Sequence, residues 1–160
     1  MPLGTFVAGR YSLTYNSVDA GLSRDGHRLN VNFLKRAIDQ SDLYGRTLID
    51  SLYMGVRCRL TLQALEYAAK TTGPLWPYAA LGVLGGTSRL DSNLAQTIVM
   101  TATAGTPAAA APATWTASKG IIAENNNADL LYGADLREVP LSFQIYPYDA
   151  SGTIKLWVET

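Results

Sequence analysis

The stretch VRCRLTLQA, residues 56–64, alternates without a break. Val56, Cys58, Leu60 and Leu62 fall on one side, and Arg57, Arg59, Thr61 and Gln63 on the other. A repeat of two is that of a strand with one buried face, and an amphipathic helix cannot supply it. HRLNVNFLKRAI, residues 27–38, repeats the pattern, with Leu29, Val31 and Phe33 against Arg28, Asn30 and Asn32. RYSLTYNSV (10–18) places Tyr11, Leu13 and Tyr15 on one face. Two further runs, 94–104 and 114–124, are rich in β-branched residues, as pleated surfaces favour. A strand around Leu141, Phe143 and Ile145 and a closing strand over 152–160 complete the series. Glycine and proline punctuate these runs at short intervals, as in all-β chains. The pattern predicts a mainly β protein. Its 160 residues form a single domain, long enough to bury a core without staples.

The remaining segments predict connections. Asp25-Gly26 is a hairpin signal that would end a turn over 19–26. Pro74 and Pro77 flank Trp76, and a short flanking helix beginning near Pro74 fits a proline in a first turn. GTPAAAAPA, 105–113, is small-residue and proline-bounded, which predicts an extended, flexible connection.

No catalytic constellation is visible, and the chain reads as a non-enzyme. His27 is the lone histidine and Cys58 the lone cysteine, too few for a zinc site or a disulfide framework. Cys58 lies on the apolar side of its strand, which favours a packing role over a Cys58–His27 dyad. GVLGG (82–86) lacks the Lys-Ser/Thr of a phosphate loop and reads as turn glycines. Asp39, Asp42 and Asp50 lack the ordered spacing of a calcium loop, so neither metal nor cofactor is expected. The 13 basic residues balance the 13 acidic ones, without the excess of a free nucleic-acid binder. MPLGTFVAGRY shows no signal-peptide pattern, and no apolar run reaches membrane-spanning length.

YGRTLIDSLYMG, 44–55, is too apolar for a solvated loop. Charged residues make up 16% of the chain, below the usual quarter, as expected when partners cover much of the surface. Together with LREVPLSFQIYP (136–147) and the order of the strands, this stretch resembles the tail tube proteins of long-tailed bacteriophages. The likeness runs over nearly the whole chain and rests on the order of features.

The resemblance implies a two-sheet β-sandwich or barrel with a short flanking helix, six copies to a ring, and rings stacked into the tail tube through which double-stranded DNA passes on ejection. It implies a virion tail component assembled in the bacterial host cytoplasm, with itself, a tape-measure protein and a sheath as partners. A tube subunit of a contractile injection or secretion apparatus would use the same fold, and a small-ligand-binding β-barrel is the alternative of another class. In the family, the loop between the second and third strands reaches the adjacent ring. Here that loop is 39–55, with Tyr44, Leu48, Ile49, Asp50, Leu52 and Tyr53 as inter-ring contacts. Arg28, Asn30, Asn32, Arg57, Arg59, Thr61 and Gln63 are the candidate lumen-facing residues, with outside solvent as the other reading of that face. Lumens of that family are often electronegative, and three arginines depart from this.

Overall fold

The computed structural model describes residues 11–21, 23–39, 48–65, 73–103, 113–127 and 138–160. Among these residues ten strands are formed: β1 (Tyr11–Tyr15), β2 (Val18–Asp19), β3 (Ser23–Asp39), β4 (Leu48–Ala64), β5 (Gln96–Ala102), β6 (Thr114–Ile122), β7 (Val139–Ile145), β8 (Tyr148–Ala150), β9 (Thr153–Lys155) and β10 (Val158–Glu159). The protein is thus mainly β, as the alternation requires. Eight strands make one antiparallel sheet in the order β2-β1-β5-β6-β7-β4-β3, with β10 also on β6, and β8-β9 is a separate hairpin.

The sheet folds at β6. One edge of β6 carries β5; the other carries β10 near Trp115 and Thr116, then β7 from Gly120 to Ile122. A register shift between Gln96 and Ile98 lets β6 change direction there. The Tyr15 and Phe143 rings stack with centroids 5.3 Å apart. Their strands β1 and β7 are three places apart in the sheet, about 14 Å if it were flat. The contact therefore requires the sheet to close on itself. Where two sheets were expected, one continuous sheet encloses the core, turned by a bend in a shared strand.

Leu13, Leu60, Ile98, Leu141, Phe143 and Ile145 fill that core and are almost wholly buried. Leu141, Phe143 and Ile145 alternate inward as read from the sequence. Gly120 lies under Ile98: a Cβ there would collide with the Ile98 Cδ1 and sit 2.9 Å from its Cγ1. The glycine is thus a packing requirement at the bend.

Several local expectations change. Asp25-Gly26 is no hairpin turn; β3 runs straight through it with a register shift, and Gly26 takes φ +75° as a bulge residue. The tight hairpins are instead Asn16-Ser17, with φ of 49° and 64°, and Ser151-Gly152, with 55° and 85°. Both have positive φ at two successive residues, the twist that suits a two-residue hairpin. Residues 73–75, around Pro74, are helical, and the chain leaves the helix at Trp76. A short helix, α1 (Asp91–Leu94), packs against β6. The closing strand is interrupted at Leu156 and Trp157, giving β9 and β10. Of the 105–113 connection, residues 105–112 lie outside the described residues; it joins β5 and β6, which are neighbours.

Candidate assembly surface

β3 and β4 pair along nearly their whole length, from Ser23↔Ala64 to Asp39↔Leu48. β7 covers β4 only from Cys58 to Ala64. Among the described residues, 48–57 of β4 therefore pair with β3 alone, and β3 is the last strand of the sheet. The outer half of this hairpin is an arm that extends past the body.

Within the expected loop over 39–55 the described residues are strand: Asp39 closes β3 and 48–55 open β4, while 40–47 lie outside the described residues. Tyr44 lies outside the described residues, as do the side chains of Leu48 and Ile49. An Asn-Gly or Asp-Gly pair would have announced a hairpin here; none is present, and a largely apolar run between Gly45 and Gly55 reads as a loop.

The arm is apolar and uncovered. Phe33 is 61% exposed, Tyr53 63%, Met54 61% and Leu52 52%. Ile38 is also exposed. A bulge sets which residues share a face: Leu34 opposes Gly55, Lys35 opposes Tyr53, and Met54 has no opposite residue. Gly55 takes φ +126°, a conformation that a side chain would strain. The bulge interrupts the alternation, so Leu52, Tyr53 and Met54 run on as an apolar series. Lys35 and Arg36 stand across from Tyr53 and Leu52, and Asp50 stands across from Ile38. The Ser51 backbone N–H donates to the Asp50 Oδ1 at 2.7 Å.

The candidate polar face assembles as the alternation requires. Arg28 opposes Thr61, Asn30 opposes Arg59, and Asn32 opposes Arg57. Arg28, Asn30, Asn32, Arg57 and Gln63 are exposed, while Arg59 and Thr61 are half-buried. Thr61 Oγ1 donates to the Arg28 carbonyl, and Gln144 Nε2 donates to the Cys58 carbonyl at 3.1 Å. The seven residues thus share one face of the ladder.

A furrow of about 1080 Å³ lies beside the arm's base, lined by Tyr53, Arg57, Tyr78, Glu124, Tyr146 and Trp157 among others. Tyr78 donates its hydroxyl to Asp91 Oδ1 at 3.5 Å. Burial, and then the Asp91 carboxylate, push the Tyr78 and Tyr146 phenols above their ordinary value. No sequence pattern announces this grouping, because its members lie on separate segments. Cys58 is fully buried, and burial pushes its thiol up to about 11, which suits a packing cysteine. Burial lowers the His27 imidazole. Asp42 lies outside the described residues, as does the side chain of Asp39, and Asp50 is exposed. Among the described residues no three His, Cys, Asp or Glu side chains form a metal-binding group, and no helix is long and apolar enough to cross a membrane.

No protein-family model matches the chain, and a search of curated proteins finds no match.

Proposed function

We propose that this chain is a structural virion protein, the subunit of a bacteriophage tail tube, built as hexameric rings that stack into a conduit for DNA. The observation that carries this reading is the arm. A strand pair that leaves its own body and exposes Phe33, Leu52, Tyr53 and Met54 needs a partner surface. Burying each such side chain contributes about 1.5–3 kcal/mol. Among the described residues β3 ends the sheet, and a long edge strand is a template for pairing with another chain that a closed assembly removes. Head-to-tail contacts of this kind repeat from copy to copy and give rings or tubes.

The inter-ring contact is proposed for Leu52 and Tyr53, joined by Met54 and Phe33, whose exposure the alternation alone does not reveal. The tape-measure protein and a sheath are the further partners of this reading, and the virion tail its location. The test is imaging of concentrated purified protein by negative stain, with sedimentation velocity alongside. Rings or tubes are expected. A homogeneous compact particle of 17.2 kDa at high concentration would refute the proposal.

A further inference from the structure

We propose that the furrow beside the arm's base is a binding site for a neutral oligosaccharide. Its volume of about 1080 Å³ matches the larger ligand clefts, which run to roughly 1,000 Å³. Separate segments of the fold meet there. Arg59 and Gln144 stand opposite each other on β4 and β7. Asp91 opens α1, and Glu124 follows β6. Lys155 and Trp157 come from the end of the chain.

The charges select the ligand class. Asp91, Glu124, Arg57, Arg59 and Lys155 all line the furrow, yet among the described residues none of them lies in an ion pair. An anion would meet the two carboxylates, and a cation would meet the arginines and the lysine. An apolar molecule would desolvate all five without compensation. A hydroxyl group both donates and accepts, so a neutral polyhydroxylated molecule serves both signs at once, through hydrogen bonds of the stronger, charge-assisted kind. Gln144 adds a fixed acceptor: its Nε2 donates to the Cys58 carbonyl at 3.1 Å and the Ile145 carbonyl at 3.3 Å, which leaves Oε1 to the furrow.

The aromatic rings select the same class. A sugar ring carries C–H groups on its faces, which the negative face of an aromatic ring attracts. Tyr78, Tyr146 and Trp157 are half-buried, so each keeps part of its surface open. Each is also held in advance. Trp157 stacks on Trp115 with centroids 6.1 Å apart, and its Nε1–H donates to Glu159 Oε1 at 3.1 Å. Tyr78 donates to Asp91 at 3.5 Å, and the Tyr146 hydroxyl stands beside the same carboxylate. Rings that are already ordered lose little entropy when a ligand settles on them. The site is complete within one copy, so sugar binding and tube formation can fail independently.

The test titrates the full-length protein with chitohexaose, cellohexaose and maltohexaose, read by calorimetry and by tryptophan fluorescence. At least one is expected to bind with a Kd of about 1 mM or tighter. Salt should change that affinity little, because a neutral ligand releases no counterions. Asp91→Asn combined with Glu124→Gln should weaken binding about tenfold or more, through the loss of charge-assisted hydrogen bonds. Glu124 is exposed, so Glu124→Gln alone should leave the melt unchanged and still weaken binding about threefold or more, which keeps the test decisive if the double variant folds poorly. Binding of none of the three sugars overturns the inference, and so does equal binding by the Glu124→Gln variant. Binding of a heparin hexasaccharide or of hexalysine in place of the neutral sugars also overturns it. Sugar binding by a protein that forms no tubes refutes the tube reading alone; tubes without sugar binding refute only this inference.

Discussion

The two halves of the β3–β4 hairpin are one ladder with opposite fates. In the inner half, Cys58, Leu60 and Leu62 are buried beneath the folded sheet. In the outer half, Leu52, Tyr53 and Met54 are as apolar as their neighbours but remain exposed. Apolar side chains are plentiful in both, so the difference lies in what covers each half. β7 ends its pairing at Cys58 and the bend at β6 brings the opposing strands over the inner half alone. Apolar character in the inner half serves folding. In the outer half it is exposed, and under the proposed assembly a second copy would cover it, so the two halves should answer differently to substitution.

The largest effect on stability is expected in the core that covers the inner half. Phe143→Ala removes a ring that is fully buried and stacked on Tyr15, and should cost about 3–5 kcal/mol. Chemical denaturation measures it. A loss below about 1 kcal/mol would mean that the two sides of the folded sheet do not share this core.

Alkaline pH probes the same half. Burial raises the Cys58 thiol to about 11 and the Tyr15 phenol to about 12, from 9.0 and 10.0. In both cases the folded state holds its proton longer than the unfolded chain. Stability is therefore complete below about pH 9 and falls as pH rises towards these folded values. Each group contributes a decline of about 1.4 kcal/mol per pH unit between its unfolded and folded values. Cys58→Ala should flatten the part of the decline between pH 9 and 11. A urea midpoint independent of pH over that window would show that Cys58 is not sealed from water.

Gly120→Ala tests the bend. The new methyl meets Ile98, which is fully buried and has little freedom to yield, and overpacking of this kind costs about 1–3 kcal/mol. A neutral result would place the turn of the sheet elsewhere in β6.

The strands were legible wherever one face is buried, because burial writes the period of two into the sequence. Residues 56–64 and 139–145 are the clearest cases. The polar row Arg28, Asn30, Asn32, Arg57 and Arg59 followed from the same alternation, with register supplied by the ladder. What was not legible depends on tertiary context. Asp25-Gly26 suits a turn or a bulge equally, and the pairing of β3 with β4 decides for the bulge. Phe33 continues the apolar face of Leu29 and Val31, yet it lies beyond the cover and is exposed. The bulge at Met54–Gly55 erased the alternation that would have marked 48–55 as strand. The fold at β6 had no sign beyond a glycine, which many structures would explain.

The most direct test of the central claim is a paired measurement on Leu52→Asp combined with Tyr53→Asp. Both side chains are exposed in the isolated chain, so the melt should move by less than about 0.5 kcal/mol. Sedimentation velocity at high concentration should show the assembly lost, because two carboxylates would be desolvated at a packed interface. Assembly that survives the double substitution contradicts the account, and so does a protein that no longer folds.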